Sequence, residues 1–127
     1  MSSGKGYNEV SVGDAYESVL GVTEAHLSQG ASLIGDFNPL HVDEARASRY
    51  GGRILHGVIT GAIAGAPLGM WFHGTAIAYL EHHCRFLAPV RAGDTLTTRW
   101  VITEKADKPK HGGGVIALTG ETRNQTG

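Results

Sequence analysis

The sequence predicts an α+β domain in which an antiparallel sheet packs on one long central helix. Three observations predict it. Residues 54–80 contain no Asp, Glu, Lys or Arg and carry glycines at regular intervals. The segments after them are rich in Thr, Val, Ile and Trp, residue types that suit strands. The chain of 127 residues, 41% of them hydrophobic, suffices for one ordinary core and little more. Helices followed by a run of strands give α+β rather than α/β. No linker, repeat or low-complexity tract divides the chain, so residues 1–127 read as a single domain.

In chain order, "SVGDAYES" is a turn entering a short strand. Thr23 suits an N-cap, with Glu24 favourable in the first turn, for a helix over residues 24–33. Residues 36–41 follow as a loop. Asp43 can cap a short helix over "EARASRY", stopped by Gly51 and Gly52. The long helix begins near Gly57, and its glycines fall at 57, 61, 65 and 69, one every four residues. That spacing lays a bare stripe on one face. Each glycine weakens a helix by about 1 kcal/mol relative to alanine, so the stripe predicts compensation by a closely packed layer. Pro67 predicts a bend or break. "TAIAYLEHHCRFLAPV", "TLTTRWVITEKAD" and "VIALTGETRNQTG" read as strands, joined by the turn "RAGD" and the mobile connection "KPKHGGG". "NQTG" resembles a hairpin turn, with no returning strand after it in this sequence.

Composition removes several function classes. A net charge of −1 and a pI near 6.6 give no basic footprint for nucleic acid. Cys84 is the only cysteine, so no internal disulfide forms, and the N-terminus "MSSGKGYNEV" lacks the apolar core of a secretory signal. Both point to the cytoplasm. The charge-free middle is long enough for a membrane span, but its five glycines, Pro67, His56 and His73 favour a helix buried in a soluble fold.

The stretch with chemical potential is "GDFNPLHVDE", residues 35–44. Asp36 and His41 stand five residues apart. On a helix this separates two side chains by about 140°, and on a strand an odd separation sends them to opposite faces. Regular structure keeps them apart. Pro39 fixes its own φ and pushes Asn38 toward extended backbone, and Asn38 can brace a turn through its side chain. A carboxylate and an imidazole that converge can share a water, one group removing a proton and the other delivering one. The plainer alternative is an Asx turn followed by a solvated histidine. Further on, in "RILHGVITG", His56 and Gly57 stand where the long helix starts. The first turn offers free N–H groups and partial positive charge, and glycine lets a substrate oxygen approach closely. They are therefore candidate oxyanion and substrate-binding residues. The alternative is that Gly57 only opens the close-packing stripe.

"GDFNPLHVDE", "GGRILHGVITG" and "HCRFLAPVRAGDTL" occur in the order and approximate spacing of MaoC-like dehydratases. Over residues 12–127 the chain resembles that family, the (R)-specific enoyl-CoA hydratases of the hot-dog fold. The resemblance implies an antiparallel sheet wrapped around a long central helix, assembly as a homodimer, and hydration of a trans-2-enoyl thioester to a (3R)-hydroxyacyl thioester, or the reverse. By motif position it implies Asp36 and His41 as the catalytic pair, Gly57 as backbone donor to the thioester carbonyl, and Asn38 with Pro39 as loop support. It implies no metal and no redox cofactor; coenzyme A, or an acyl carrier, belongs to the substrate. Some members place a serine nine residues after the histidine of the second motif. Here that position is Gly65, which leaves the shape of the acyl pocket open.

Other residues invite other readings. His82, His83 and Cys84 are metal-ligating types, but on a strand His82 and Cys84 share one face and His83 the other, with no second ligand pair. Cys84 reads as a small buried hydrophobe. Arg85, Arg91, Lys105, Lys108 and Lys110 can meet coenzyme A phosphates or form a solvated rim. Two rival functions stand beside the hydratase: an acyl-CoA thioesterase on the same fold, and a non-catalytic thioester-binding subunit of a hydratase complex.

Overall fold

The computed structural model describes residues 4–127. The chain forms β1 (Ala15–Gly21), α1 (Glu24–Ile34), α2 (Pro39–Val42), α3 (Glu44–Ala47), α4 (Gly57–Trp71), β2 (Thr95–Lys108) and β3 (Gly113–Arg123). The sheet order is β1-β2-β3. Gly13 N donates to Ile102 O and Ile102 N to Asp14 O, while Val22 N donates to Asp94 O. Rising residue numbers meet falling ones, so β1 and β2 are antiparallel. β2 and β3 are joined by a single 3₁₀ turn, Pro109–His111, closed by Gly112 in the left-handed region. The connection is thus a tight turn between the two strands.

These elements build two compact units. One comprises the described chain up to Ser18, with Ala64–His83 and Thr98–Thr122. Its core is Val10, Leu68, Trp71, Phe72 and Ile102, flanked by Tyr16, Trp100, Ile116 and Leu118. Here the second half of α4 lies on β2 and β3. Trp100 Nε1 donates to Ala64 O at 2.7 Å, and Tyr16 stacks on Trp71 with ring centroids 5.4 Å apart. The other unit comprises Val19–Ile63, Cys84–Thr97 and Arg123–Gly127. Val22, Leu27, Leu55 and Leu96 are its core, with Ile59, Ile63, Val90 and Ala92 against it. Arg53 joins Glu44, at 2.8 Å from its Nε, with Glu24. Arg91 donates to the carbonyls of Gly52 and Tyr50. Lys105 of the first unit donates to Tyr7 O and Val10 O. Arg91 and Lys105 thus hold backbone carbonyls.

Four expectations need correction. Residues 36–41 are not all loop, because Pro39 starts the one-turn helix α2. α4 continues through Pro67 without a break. "TAIAYLEHHCRFLAPV" belongs to no strand of the sheet; Ile77, Leu80 and Leu87 are 87%, 72% and 89% exposed. Its alternation specifies faces, not a hydrogen-bonded neighbour. Consequently Cys84 is exposed rather than buried. The glycine stripe is used in part. A Cβ at Gly65 would meet Tyr79 Oη at 2.9 Å and His82 Cε1 at 3.4 Å, whereas Gly69 faces nothing within 4 Å. The space that a serine would claim at residue 65 is filled by Tyr79 and His82, which are hydrogen-bonded to each other. Among the described residues, no helix is long and apolar enough to cross a membrane.

Candidate active site

α1 ends at Gly35, whose φ of 77° is left-handed and whose N–H bonds to Ala31 O. Glycine takes that conformation without the Cβ clash. The chain therefore leaves α1 sharply, and Asp36 is the first residue beyond the turn. Asp36 Oδ1 accepts the N–H of Asn38 at 3.1 Å. Asn38 is extended, with φ −54° and ψ 134°, and its Oδ1 accepts the N–H of Leu40. Pro39 then occupies the first position of α2, where its missing N–H costs nothing. His41 N donates to Asn38 O at 2.9 Å. This chain of local bonds brings back together two side chains that regular structure would have parted.

His41 Nε2 lies 3.6 Å from Asp36 Oδ2. Its other ring nitrogen, Nδ1, is 2.7 Å from Ile54 O. A carbonyl only accepts, so Nδ1 carries a hydrogen and the neutral ring keeps a lone pair at Nε2. Two acceptors then face one gap, an imidazole nitrogen and a carboxylate oxygen. A water between them can donate one hydrogen to each. The His41 side chain is 12% exposed and that of Asp36 46%, so the gap is reachable from solvent.

His56 lies behind His41. The two rings stack with centroids 3.9 Å apart and planes inclined by 26°. His56 is 1% exposed, and its Nε2 is 3.0 Å from Asp36 O. His56 was named from sequence as a substrate-binding candidate; its side chain is buried, with its ring bonded to the backbone of the loop. Gly57 is exposed and opens α4. The first bond of that helix runs from Thr60 N to His56 O, so the Gly57 N–H lies in the first turn and has no acceptor within the helix. The Phe86 ring lies 3.5 Å from where a Cβ on residue 57 would stand.

Among the described residues, Asp36, His41 and His56 form the one group of metal-ligating types whose ligand atoms lie within 4.8 Å of one another. Both imidazoles already use a nitrogen on a carbonyl and Asp36 Oδ1 is engaged by Asn38. Asp36 Oδ2 and His41 Nε2 are the two acceptors left facing one gap, short of the three or four protein ligands usual for zinc. The arrangement suits a proton relay through water.

The sequence reading missed two parts of this neighbourhood. One is the anchoring of Asp36 by His56, which joins residues twenty apart and leaves no local pattern. The other is a cleft of about 500 Å³ lined by Asn38, Pro39, Leu40, Arg46, Arg49 and Tyr50. Its two guanidinium groups, those of Arg46 and Arg49, stand beside the loop and were not among the cations singled out from sequence.

Comparison with known proteins bears on the family and the fold. A 3-hydroxybutyryl-CoA dehydratase from Methylorubrum extorquens is 37% identical over 76 residues; the match covers 58% of this chain but 48% of the relative, so this chain spans about half of it. An (R)-specific enoyl-CoA hydratase from Aeromonas caviae is 33% identical over 108 residues, covering 76% of this chain and 81% of the relative. The solved structure of an unliganded (R)-hydratase from Pseudomonas aeruginosa superposes with a TM-score of 0.84 at 31% identity, over 96% of this chain and 77% of that one. The hot-dog fold is thereby borne out. The MaoC like domain matches residues 10–123, which take in the bent loop, the stacked histidines and the sheet, and the chain belongs to that family.

Proposed function

We propose that this chain is a single hot-dog domain that reversibly hydrates trans-2-enoyl thioesters to (3R)-hydroxyacyl thioesters. The observation that carries the reading is the gap between His41 Nε2 and Asp36 Oδ2, two acceptors 3.6 Å apart on a bent, internally hydrogen-bonded loop. The names of the relatives, an enoyl-CoA hydratase and a hydroxyacyl-CoA dehydratase, support it.

The chemistry follows from the acceptors. Conjugation with the thioester makes C3 of the enoyl group electrophilic. A water donating to both acceptors presents its lone pairs outward. As its oxygen bonds to C3, a proton passes to His41 Nε2 and the C2=C3 electron pair moves toward the thioester oxygen. Asp36 then faces an imidazolium, which its carboxylate stabilises. The Gly57 N–H, at the positive end of α4, steadies the enolate oxygen. His41 returns the proton to C2, so one water is added and the ring ends neutral. Oxygen and proton arrive from one side, which gives syn addition. No metal and no redox cofactor enters.

Arg46 and Arg49, beside the cleft next to the loop, are suited to the phosphates of a coenzyme A or acyl-carrier thioester. A homodimer is supported by the exposed Ile77, Leu80 and Leu87 and by β3 at the edge of the sheet, features that favour pairing with a second copy. The exposed lone cysteine is consistent with a reducing, cytoplasmic setting.

The test is incubation of the purified chain with a panel of trans-2-enoyl-CoAs, reading the gain of one water by mass spectrometry and the configuration of the product. Formation of (3R)-hydroxyacyl-CoA is expected. Release of free thiol without hydration, or no turnover of any member, overturns the reading.

A further inference from the structure

The most deeply buried titratable group at this site has no part in the steps above. His56 is 1% exposed. Its Nε2 is 3.0 Å from Asp36 O, and since a carbonyl accepts only, Nε2 bears the hydrogen. The neutral ring therefore has a bare Nδ1. That atom is buried with no hydrogen-bond partner, on the side of α1: a Cβ built at Gly30 would stand 3.8 Å from it and 3.3 Å from Ile59 Cγ1. A bare lone pair is tolerated there. A second N–H would be an unmet buried donor carrying a charge, which is far costlier. The titratable neighbours are His41, stacked at 3.9 Å, and Asp36, which turns its carbonyl, not its carboxylate, to this ring.

We propose that His56 is a positioning residue held as the neutral Nε2–H tautomer. It does two things at once. Its N–H fixes the backbone of Asp36, and so the origin of the carboxylate that faces His41. Its ring face backs the His41 ring, with centroids 3.9 Å apart. The role in turnover rests on the reading of His41 as proton carrier. The tautomer and the anchor do not.

Three variants separate the two contributions. His56→Phe keeps a ring face and loses the donor. His56→Gln keeps a donor at similar reach and loses the ring. His56→Leu keeps neither. With an enoyl-CoA, His56→Leu is expected to lower kcat by about tenfold or more through misplacement of the loop, with KM within about twofold. His56→Phe and His56→Gln should each recover part of that loss, a pattern that loss of packing alone does not produce. Long-range ¹⁵N–¹H spectra of the wild-type protein should show His56 with a protonated Nε2 and a bare Nδ1 under the conditions of the activity assay. Wild-type kcat in His56→Leu overturns the proposal. So does a spectrum showing Nδ1–H or a charged His56 under the assay conditions, and that measurement decides the matter even if the variants do not fold. If the wild-type chain hydrates no enoyl thioester, the functional reading fails alone, and the spectrum still decides the tautomer.

Discussion

Replacing Asp36 by Asn removes one negative charge and almost no volume. The amide oxygen can still accept the Asn38 N–H that Asp36 Oδ1 accepts at 3.1 Å, so the turn survives and stability should change by no more than about 0.5 kcal/mol, as for ordinary surface substitutions. What is lost is the attraction between the carboxylate and the imidazolium that forms on His41. Over the 3.6 Å between Oδ2 and Nε2, that attraction is about 1 kcal/mol in a medium like water and about 4.6 kcal/mol at an effective dielectric near 20. The Asp36 side chain is 46% exposed and that of His41 12%, which places the value between these limits, at about 2–3 kcal/mol. Each ~1.4 kcal/mol is a factor of ten in rate. Asp36→Asn should therefore lower kcat/KM by about 10²-fold, measured as disappearance of the conjugated enoyl thioester absorbance with crotonyl-CoA. Circular dichroism and the urea midpoint should match wild type. A folded variant within threefold of the wild-type rate would refute the assignment of Asp36 as the counter-charge.

His41→Ala removes the proposed proton carrier and should cost about 10²–10⁴-fold in kcat, the usual range for a general acid–base group; turnover near wild type in the same assay would show that another group carries the proton. Arg46→Ala combined with Arg49→Ala should raise KM for an enoyl-CoA several-fold while leaving that for a short enoyl-pantetheine unchanged. Equal effects on the two substrates would remove these guanidinium groups from phosphate recognition. Ile102 is 1% exposed in its core, so Ile102→Ala should destabilise by about 2–5 kcal/mol, read by urea denaturation at constant m-value. The Tyr7 pKa is raised because its hydroxyl donates to Asp107 at 2.6 Å and the carboxylate opposes a phenolate. A folded value above the unfolded one means that this contribution is complete below the ordinary phenol pKa of about 10 and fades as pH rises through the folded value. Asp107→Asn should bring the ultraviolet phenolate transition of Tyr7 down in pH, and an unmoved transition would exclude Asp107 as the cause.

Different physical constraints decided which features could be read from sequence. α1 was legible because Thr23, Glu24 and Gly35 mark both ends chemically, and it runs over Glu24–Ile34. The approach of Asp36 to His41 was legible because Pro39 restricts two consecutive backbones. β2 and β3 were legible from β-branched content and a glycine-rich turn. The segment before them was not. Alternation in "TAIAYLEHHCRFLAPV" describes a strand-like ribbon, but a strand exists only with a hydrogen-bonded neighbour, and a neighbour is not a local property. Cys84, read as buried from its residue type, is exposed. Pro67 does not break α4, because proline's cost in an isolated helix does not include its burial among the residues packed around it. His56 was seen as a residue at a helix start, which it is. That its ring reaches Asp36 depends on how the chain between them folds back.

The loop from Gly35 to Val42 is tied at short intervals: Gly35 to Ala31, Asn38 to Asp36, Leu40 to Asn38, His41 to Ile54, and Asp36 to His56. A backbone fastened at so many points has few alternative conformers to lose. Ordering it costs about 1–2 kcal/mol per residue in chain entropy, and that cost falls once, when the protein folds. A molecule arriving from solution meets an arrangement that has already been made, and nothing of that entropy has to be surrendered again with each encounter.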